Sequence, residues 1–387
     1  MQNSEIKILS ISHSCVVSEY QKRMVELAKY PDVELTLVVP EKWIQFNKNV
    51  YLDKISDPDY RITPIQPITW RFRKNRFRNI THIYPAIKLI LKRLEPDIVE
   101  LWEEPFFAVA AHTIFWTKRV RPQAKVIFFS AQNVLKKYPP PFSIFEKYTY
   151  KNARYAFLMN DDVASVVRKK GYEGEYRVLP LGVDTEVFCK KDVSPLKERL
   201  GLRDVVVGFV GKITRQKGIL NLIEAVSEIN GKIQLLIIGN GDLREEVRHL
   251  IKISGLEKRS ILMDAVPHSQ IPDYLNCMDI LVFPSITLPN VKEQFGRVLI
   301  EAMACQVPVI GSDCGEIPAI LNDVGLIFRE GDVRDLRSKI VLLMKEGRLR
   351  KKIGKKSYQK VMDNYTWKDI AQKQYGVYKK LIKEINL

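Results

Sequence analysis

In Val205-Val-Val-Gly-Phe-Val-Gly-Lys-Ile-Thr-Arg-Gln-Lys-Gly-Ile-Leu-Asn-Leu-Ile223, an apolar run passes straight into a basic loop bounded by Gly211 and Gly218, and a helical pattern follows at once. A short run rich in β-branched residues reads as a buried strand. Ile219, Leu222, Ile223, Val226 and Ile229 recur at the spacing of one helix face. Strand followed by helix is the building unit of a parallel sheet, because parallel neighbours need a crossover. The alternation continues through further strands at Gln234–Ile238, Ile261–Met263, Ile280–Phe283, Val307–Ile310 and Gly325–Phe328. It also runs through the first half, with strands at Ile6–Ile11, Val33–Val39, Ile98–Leu101, Val126–Phe129 and Ala156–Met159, and helical periodicity over Glu19–Leu27 and Ala86–Leu94. The sequence therefore predicts an α/β protein of two parallel-sheet units joined near Val183–Pro195. At 387 residues it exceeds the usual size of one hydrophobic core. The expected bounds are 1–185 and 195–365, with 366–387 as one amphipathic helix carrying Trp367, Ile370, Tyr375, Tyr378 and Leu381.

The composition, 46% hydrophobic and 28% charged, is that of a globular protein. Met1–Ser4 lead into a strand without a basic or apolar leader, so no signal peptide is expected, and no apolar run approaches the ~20 residues of a membrane span. Five scattered cysteines without a paired or zinc-type spacing read as thiols in a reducing cytosol. The net charge of +17 is unevenly placed: Arg61–Arg93 holds nine Lys or Arg and no Asp or Glu. Its centre, Trp70-Arg-Phe-Arg-Lys-Asn-Arg-Phe-Arg78, suits an anionic membrane surface or anionic acceptor, or a solvated loop. No nucleic-acid-binding motif accompanies it, and no nucleic-acid partner is expected.

Ligands of open parallel sheets bind beyond the carboxyl ends of the strands. There the first half carries Ser12-His13-Ser14, Trp102-Glu103-Glu104, Ser130-Ala131-Gln132-Asn133 and Asn160-Asp161-Asp162. In the second half, Gly211 to Gly218 opens a helix and presents Lys212, Arg215 and Lys217, which is the arrangement of a phosphate site. Gly239-Asn-Gly241 lacks the third glycine of a dinucleotide fingerprint, because Arg244 stands in its place, and reads as a tight turn. Glu293-Gln-Phe-Gly-Arg-Val-Leu-Ile-Glu301 places a loop carboxylate before Gly296 and a helical carboxylate after it. Amides at Gly296, Arg297 and Val298 would face a diphosphate, and the two carboxylates would reach sugar hydroxyls. Asp57-Pro-Asp59 follows no strand and is not expected to bind metal.

Glu293-Gln-Phe-Gly296 with Glu301-Ala-Met-Ala304 resembles the E-x7-E signature of family 4 retaining glycosyltransferases of the GT-B fold. Gly211 with Lys217-Gly218, Gly239-x-Gly241, Phe283-Pro284-Ser285, Val307-Pro308-Val309-Ile310 and Gly315-Glu-Ile-Pro318 agree. The resemblance is strong from Leu179 to Leu387 and loose before it. It implies two Rossmann-like domains facing across a cleft, the last helix crossing back to the first. It implies Glu293, Lys217 and Lys212 as catalytic residues, Glu293 on donor-sugar hydroxyls and the lysines on the diphosphate. Donor binding would involve Gly211, Arg215, Gly239, Gly241, Val266, Pro267, Phe295, Gly296, Arg297, Val298 and Leu299, with Glu301 on the ribose. The acceptor cleft would use Ser12, His13, Ser14, Glu103, Gln132, Asn133 and Asn160.

The implied reaction moves a sugar from a UDP-, GDP- or ADP-sugar to a saccharide or lipid-linked acceptor with retention, without cofactor or metal, on the cytoplasmic side of a membrane. The chain departs from the family where Lys212 replaces the usual Arg, where Ser12-His-Ser-Cys15 replaces a glycine-rich loop, and where Ser130-Ala-Gln-Asn133 replaces a cleft His. Two rivals keep the fold: a nucleotide-sugar epimerase, which needs no acceptor, and a non-catalytic nucleotide-sugar-binding subunit.

Overall fold

The computed structural model describes residues 5–45, 48–55, 58–69 and 79–385. Two compact units emerge, Met1–Pro180 together with Trp367–Leu387, and Leu181–Thr366. The centre of the basic run, residues 70–78, and Asp57 lie outside the described residues.

The sheet of the first unit comprises β1 (Ile6–Ile11), β2 (Val33–Val39), β3 (Arg61–Pro64), β4 (Ile98–Leu101), β5 (Lys125–Ser130), β6 (Tyr155–Leu158) and β7 (Glu175–Val178). All neighbours are parallel, in the order β3-β2-β1-β4-β5-β6-β7. Central strands are buried on both faces, as in Ile8, Leu9, Ile98 and Val99, which is why they read as unbroken apolar runs. The edge strands β3 and β7, Arg-Ile-Thr-Pro and Glu-Tyr-Arg-Val, carry polar residues and escaped the sequence reading.

The helix Trp367–Lys383 belongs to this unit. Its buried face includes Ile370, Val377, Tyr378 and Leu381. Its polar residues are anchored too: Tyr375 Oη and Lys379 Nζ each reach an Asp32 carboxylate oxygen at 2.8 Å. Buried Glu100 accepts from Tyr378 Oη at 2.9 Å, Ser10 Oγ at 2.8 Å and Arg23 at 3.0 Å, and Gln374 bonds it as well. Removing one member of such a buried ion pair costs about 3–5 kcal/mol, since its partner is left charged and unpaired.

The second unit repeats the plan with β8 (Val205–Val210), β9 (Ile233–Ile238), β10 (Ser260–Met263), β11 (Ile280–Phe283), β12 (Val309–Ser312) and β13 (Leu326–Phe328), ordered β10-β9-β8-β11-β12-β13 and parallel throughout. Strand β12 starts two residues later than the expected Val307, at Val309. Pro308 has no amide hydrogen for a ladder, although its carbonyl accepts from Leu281 at 3.0 Å, while Gly311 and Ser312 continue the pairing to Ile327 and Phe328. Leu181–Asp184 goes with the second unit, where Val183 N donates to Tyr365 O at 2.8 Å. Both sheets have the doubly wound strand order, so each has one switch point where the chain direction across the sheet reverses: between β1 and β4, and between β8 and β11. No helix among the described residues is long and apolar enough to cross a membrane.

Candidate functional site

At the second unit's switch point, the loops leaving β8 and β11 meet. Gly218 adopts φ +63°, and a Cβ there would lie 1.8 Å from Pro284 O, so only glycine lets the two loops touch. That contact brings Lys217 Nζ to 2.5 Å from Glu293 Oε2, which also accepts from Ser285 Oγ at 2.9 Å. Glu293 is 7% exposed. Its loop is pinned by Gly315, whose Cβ would sit 2.1 Å from Glu293 O. Burial and the neighbouring Lys217 charge both lower the pKa of Lys212. Cations gathered at the mouth of a glycine loop fit a bound anion.

The helix Arg297–Ala304 starts at Gly296, φ +75°, with no side chain capping it. The Arg297 and Val298 amides lie in its first turn, where the helix supplies no carbonyl partner. Glu301 is 4% exposed, so it is not a solvated helix position. Its Oε1 lies 3.1 Å from Arg297 Nε and 2.8 Å from His268 Nε2. His268, whose place just after Val266-Pro267 in the sequence suits the nucleotide side or the surface, thus stands against Glu301. Val266 is half-buried and Pro267 exposed on the same turn. Phe295 is buried, edge-on to Tyr365. Leu299 does not face the site: its side chain is in the core beneath Gly296, and its amide donates to Gly296 O at 2.8 Å.

Gly239 and Gly241 are required by close packing, since their Cβ atoms would lie 1.8 Å from Gly211 O and 2.1 Å from Ile213 O. Arg244, in the place of a third glycine, bonds the carbonyls of Gly239 at 2.8 Å and Met263 at 2.9 Å and so caps two strand ends. Arg215 is exposed midway along the loop from Gly211 to Gly218. A groove of about 940 Å³ lies elsewhere in this unit, at the amino ends of β11 and β12, and is lined by Lys190, Arg348, Arg350, Lys351, Lys352 and Lys355. The convergence of charged side chains at the switch point, rather than cavity volume, locates the candidate site.

The first unit's switch point carries a matching pair. His13, just after β1, and Glu103, just after β4, meet with His13 Nδ1 2.5 Å from Glu103 Oε2 and the His13 amide 2.7 Å from Oε1. Burial would raise the Glu103 pKa, but His13 and His82 outweigh it and hold the carboxyl down at about 2. His82, which no sequence pattern singled out, lies with Nε2 3.7 Å from Glu103 Oε1. Ser12 Oγ and Ser14 Oγ are 2.8 Å apart beside them. Two of the remaining candidates, Asn160 and Gln132, make local hydrogen bonds. Asn160 caps the helix Asp161–Lys169, accepting from Val163 N at 2.8 Å. Gln132 bonds Tyr138 Oη at 3.1 Å and Val134 N at 3.2 Å, and Asn133 is buried. Glu104, by contrast with its neighbour, has its pKa pushed up to about 7 by burial, only partly offset by bonds from Ser130 and Ala131.

Residues 191–360 match the family described as Glycosyl transferases group 1. The chain is 24% identical over 208 residues to N-acetyl-alpha-D-glucosaminyl L-malate synthase of Bacillus anthracis, covering 52% of this chain and 53% of that protein. It is 29% identical over 224 residues to the capsular polysaccharide biosynthesis glycosyltransferase CapM of Staphylococcus aureus, covering 55% and 57%. The matches thus span about half the length of these curated relatives. Among solved structures, sucrose-phosphate synthase from Thermosynechococcus elongatus aligns with TM-score 0.75 at 20% identity, covering 98% of this chain and 100% of that one. Anabaena HepE in complex with UDP aligns with TM-score 0.74 at 15% identity, covering 97% and 100%. These likenesses show the fold, two Rossmann-like units as in the GT-B glycosyltransferases.

Proposed function

We propose that the chain is a retaining glycosyltransferase using a nucleotide-sugar donor, from the premise that residues 191–360, in the second unit, match the Glycosyl transferases group 1 family. The observation that carries the reading is the Lys217–Glu293 pair at the switch point, 2.5 Å apart. A buried carboxylate beside an anion pocket is unfavourable unless it has neutral polyol partners and a nearby cation. Glu293 accepts hydrogen bonds from the transferred sugar. Lys212, Lys217 and the first-turn amides of Arg297–Ala304 neutralise the diphosphate, so the donor side needs no metal. Glu301, oriented by Arg297 and His268, accepts from the ribose hydroxyls.

In the reaction the bond from the anomeric carbon to the phosphate oxygen breaks and a bond to the acceptor oxygen forms on the same face. The acceptor's hydroxyl proton goes to the departing phosphate. Charge developing on that phosphate is stabilised by preplaced lysines and amide dipoles, the term that usually contributes most to catalysis. The acceptor, a saccharide or lipid-linked saccharide of glycoconjugate synthesis, binds at the polar strand ends of the first unit, with Ser12, His13, Ser14 and Glu103 foremost. Contact of Arg61–Arg93 with an anionic membrane surface on the cytoplasmic side belongs to the same proposal. In its described part, the helix Ile87–Leu94 exposes Lys88, Lys92 and Arg93 around Leu89, which is 68% exposed. The test is the anomeric configuration of the product by NMR. Retention supports the account; inversion, or transfer only in the presence of a divalent ion bound with the donor, overturns it.

A further inference from the structure

His82 is fully buried, and its Nε2 has no hydrogen-bond partner. The other ring nitrogen, Nδ1, is 2.8 Å from Asn79 O. A carbonyl oxygen only accepts, so Nδ1 carries a hydrogen, and Nε2 is the ring atom turned toward Glu103 Oε1, 3.7 Å away. That distance is too long for a hydrogen bond, and the place between Nε2 and the carboxylate calls for something positive, a proton on the ring or a cation. His13 approaches the same carboxylate through Nδ1 from the other side. The donor atoms of His13, His82 and Glu103 all lie within 4.8 Å of one another.

We propose that His13, His82 and Glu103 form a zinc-binding site in the first unit. Two imidazole nitrogens and one carboxylate are a donor set for Zn²⁺ with a fourth position left open. The supporting shell is present as well. The Nδ1–H of His82 is held by a main-chain carbonyl, which is how metal-binding histidines are commonly fixed in tautomer and direction, and the His13 amide holds the carboxylate. Neighbouring ligand atoms of a tetrahedral zinc ion are about 3.3 Å apart, given bonds of about 2.0–2.1 Å. The 2.5 Å contact is to Glu103 Oε2 and the 3.7 Å contact to Oε1, so binding requires the first to open, the second to close slightly, and donor atoms up to 4.8 Å apart to draw together. Binding at His13 Nδ1 uses the tautomer with its hydrogen on Nε2, and no redox change is involved. His13, with 25% of its side chain exposed, offers the way in. Trp43 and Phe107 wall the histidines with ring centroids 4.8 to 6.1 Å away, limiting water around the ion. All three residues belong to the first unit, and the proposal does not depend on the reading of the donor pocket.

The test uses the full chain, stripped with chelator and titrated with Zn²⁺ against a chromophoric competitor, then with Co²⁺ to report coordination by its visible absorption. One equivalent of Zn²⁺ per chain is expected, with a Co²⁺ spectrum of low coordination number. His82→Gln and His13→Gln should each weaken binding at least tenfold, with far-UV circular dichroism showing that each variant is folded. Wild-type chain that takes up less than a tenth of an equivalent overturns the proposal, and so does full-affinity uptake retained by His13→Gln.

Discussion

Lys217 Nζ lies 2.5 Å from Glu293 Oε2, although 76 residues separate them in the chain. The contact exists because Gly218 lets one switch-point loop lie against Pro284 of the other. If the pair acts as one unit on the donor, Lys217→Ala and Glu293→Ala should each lower kcat by about 10²–10³, the usual loss for one preplaced electrostatic group. The double variant should lose much less than the product of the two, as expected for residues sharing one interaction. Initial rates of the three variants check this, and multiplicative losses would mean the two residues act separately.

Glu301 is buried between Arg297 and His268. On the proposed reading its free acceptor capacity is for ribose hydroxyls. Wild-type protein should bind a donor with deoxygenated ribose about 10-fold more weakly or worse, consistent with about 1.5–3 kcal/mol for hydrogen bonds to a charged group. Glu301→Gln should lose most of that discrimination while weakening the normal donor. Calorimetric titration of both proteins with both donors measures it, and undiminished discrimination in the variant would remove Glu301 from the ribose.

Leu89 stands exposed between Lys88 and Lys92. Leu89→Asp with Lys88→Ser should reduce co-sedimentation with anionic vesicles several-fold and leave donor binding in the second unit unchanged. Equal sedimentation of wild type and variant would leave this face a solvated surface.

Glu104 should make folding stability depend on pH in an identifiable direction. Its folded pKa, about 7, is above the unfolded value of 4.5. Between those values the native state keeps a proton that the unfolded chain has released, so stability falls as pH rises, by at most about 1.4 kcal/mol per pH unit, and levels off above the folded pKa. Glu103 works in the opposite sense and lower: its contribution is present above 4.5 and is lost as pH falls toward about 2. Glu104→Gln should therefore gain stability relative to wild type as pH is raised from about 5 to about 7, read by denaturant unfolding, and a gap independent of pH would contradict the assignment.

Much of the second unit was legible because its information is local. Each strand, its glycine loop and the following helix are contiguous, and Lys212, Lys217, Glu293 and Glu301 sit in or beside such segments. What the sequence could not show is which loops meet. Lys217 with Glu293, Glu301 with His268, and Glu103 with both His13 and His82 are contacts made by strand order, and His82 sits in a two-residue strand without periodicity. Polar edge strands such as Glu175–Val178 carry no apolar alternation to find. Arg244 misled in a different way: read as a missing glycine, it is a cap for the carbonyls of Gly239 and Met263. The first unit's acceptor candidates were chosen by position after strands, and position alone does not separate a ligand residue from a helix cap such as Asn160.

The central claim is that the pocket between Lys217, Glu293 and the start of Arg297–Ala304 holds a nucleotide sugar. Thermal unfolding of the full chain in the presence of UDP-, GDP- and ADP-sugars tests it most directly, because a ligand that binds only the folded state raises the melting temperature by mass action. The account predicts a clear rise with the donors of one nucleotide, abolished in Lys217→Ala. No rise with any nucleotide sugar, or a rise of equal size in Lys217→Ala, would contradict it.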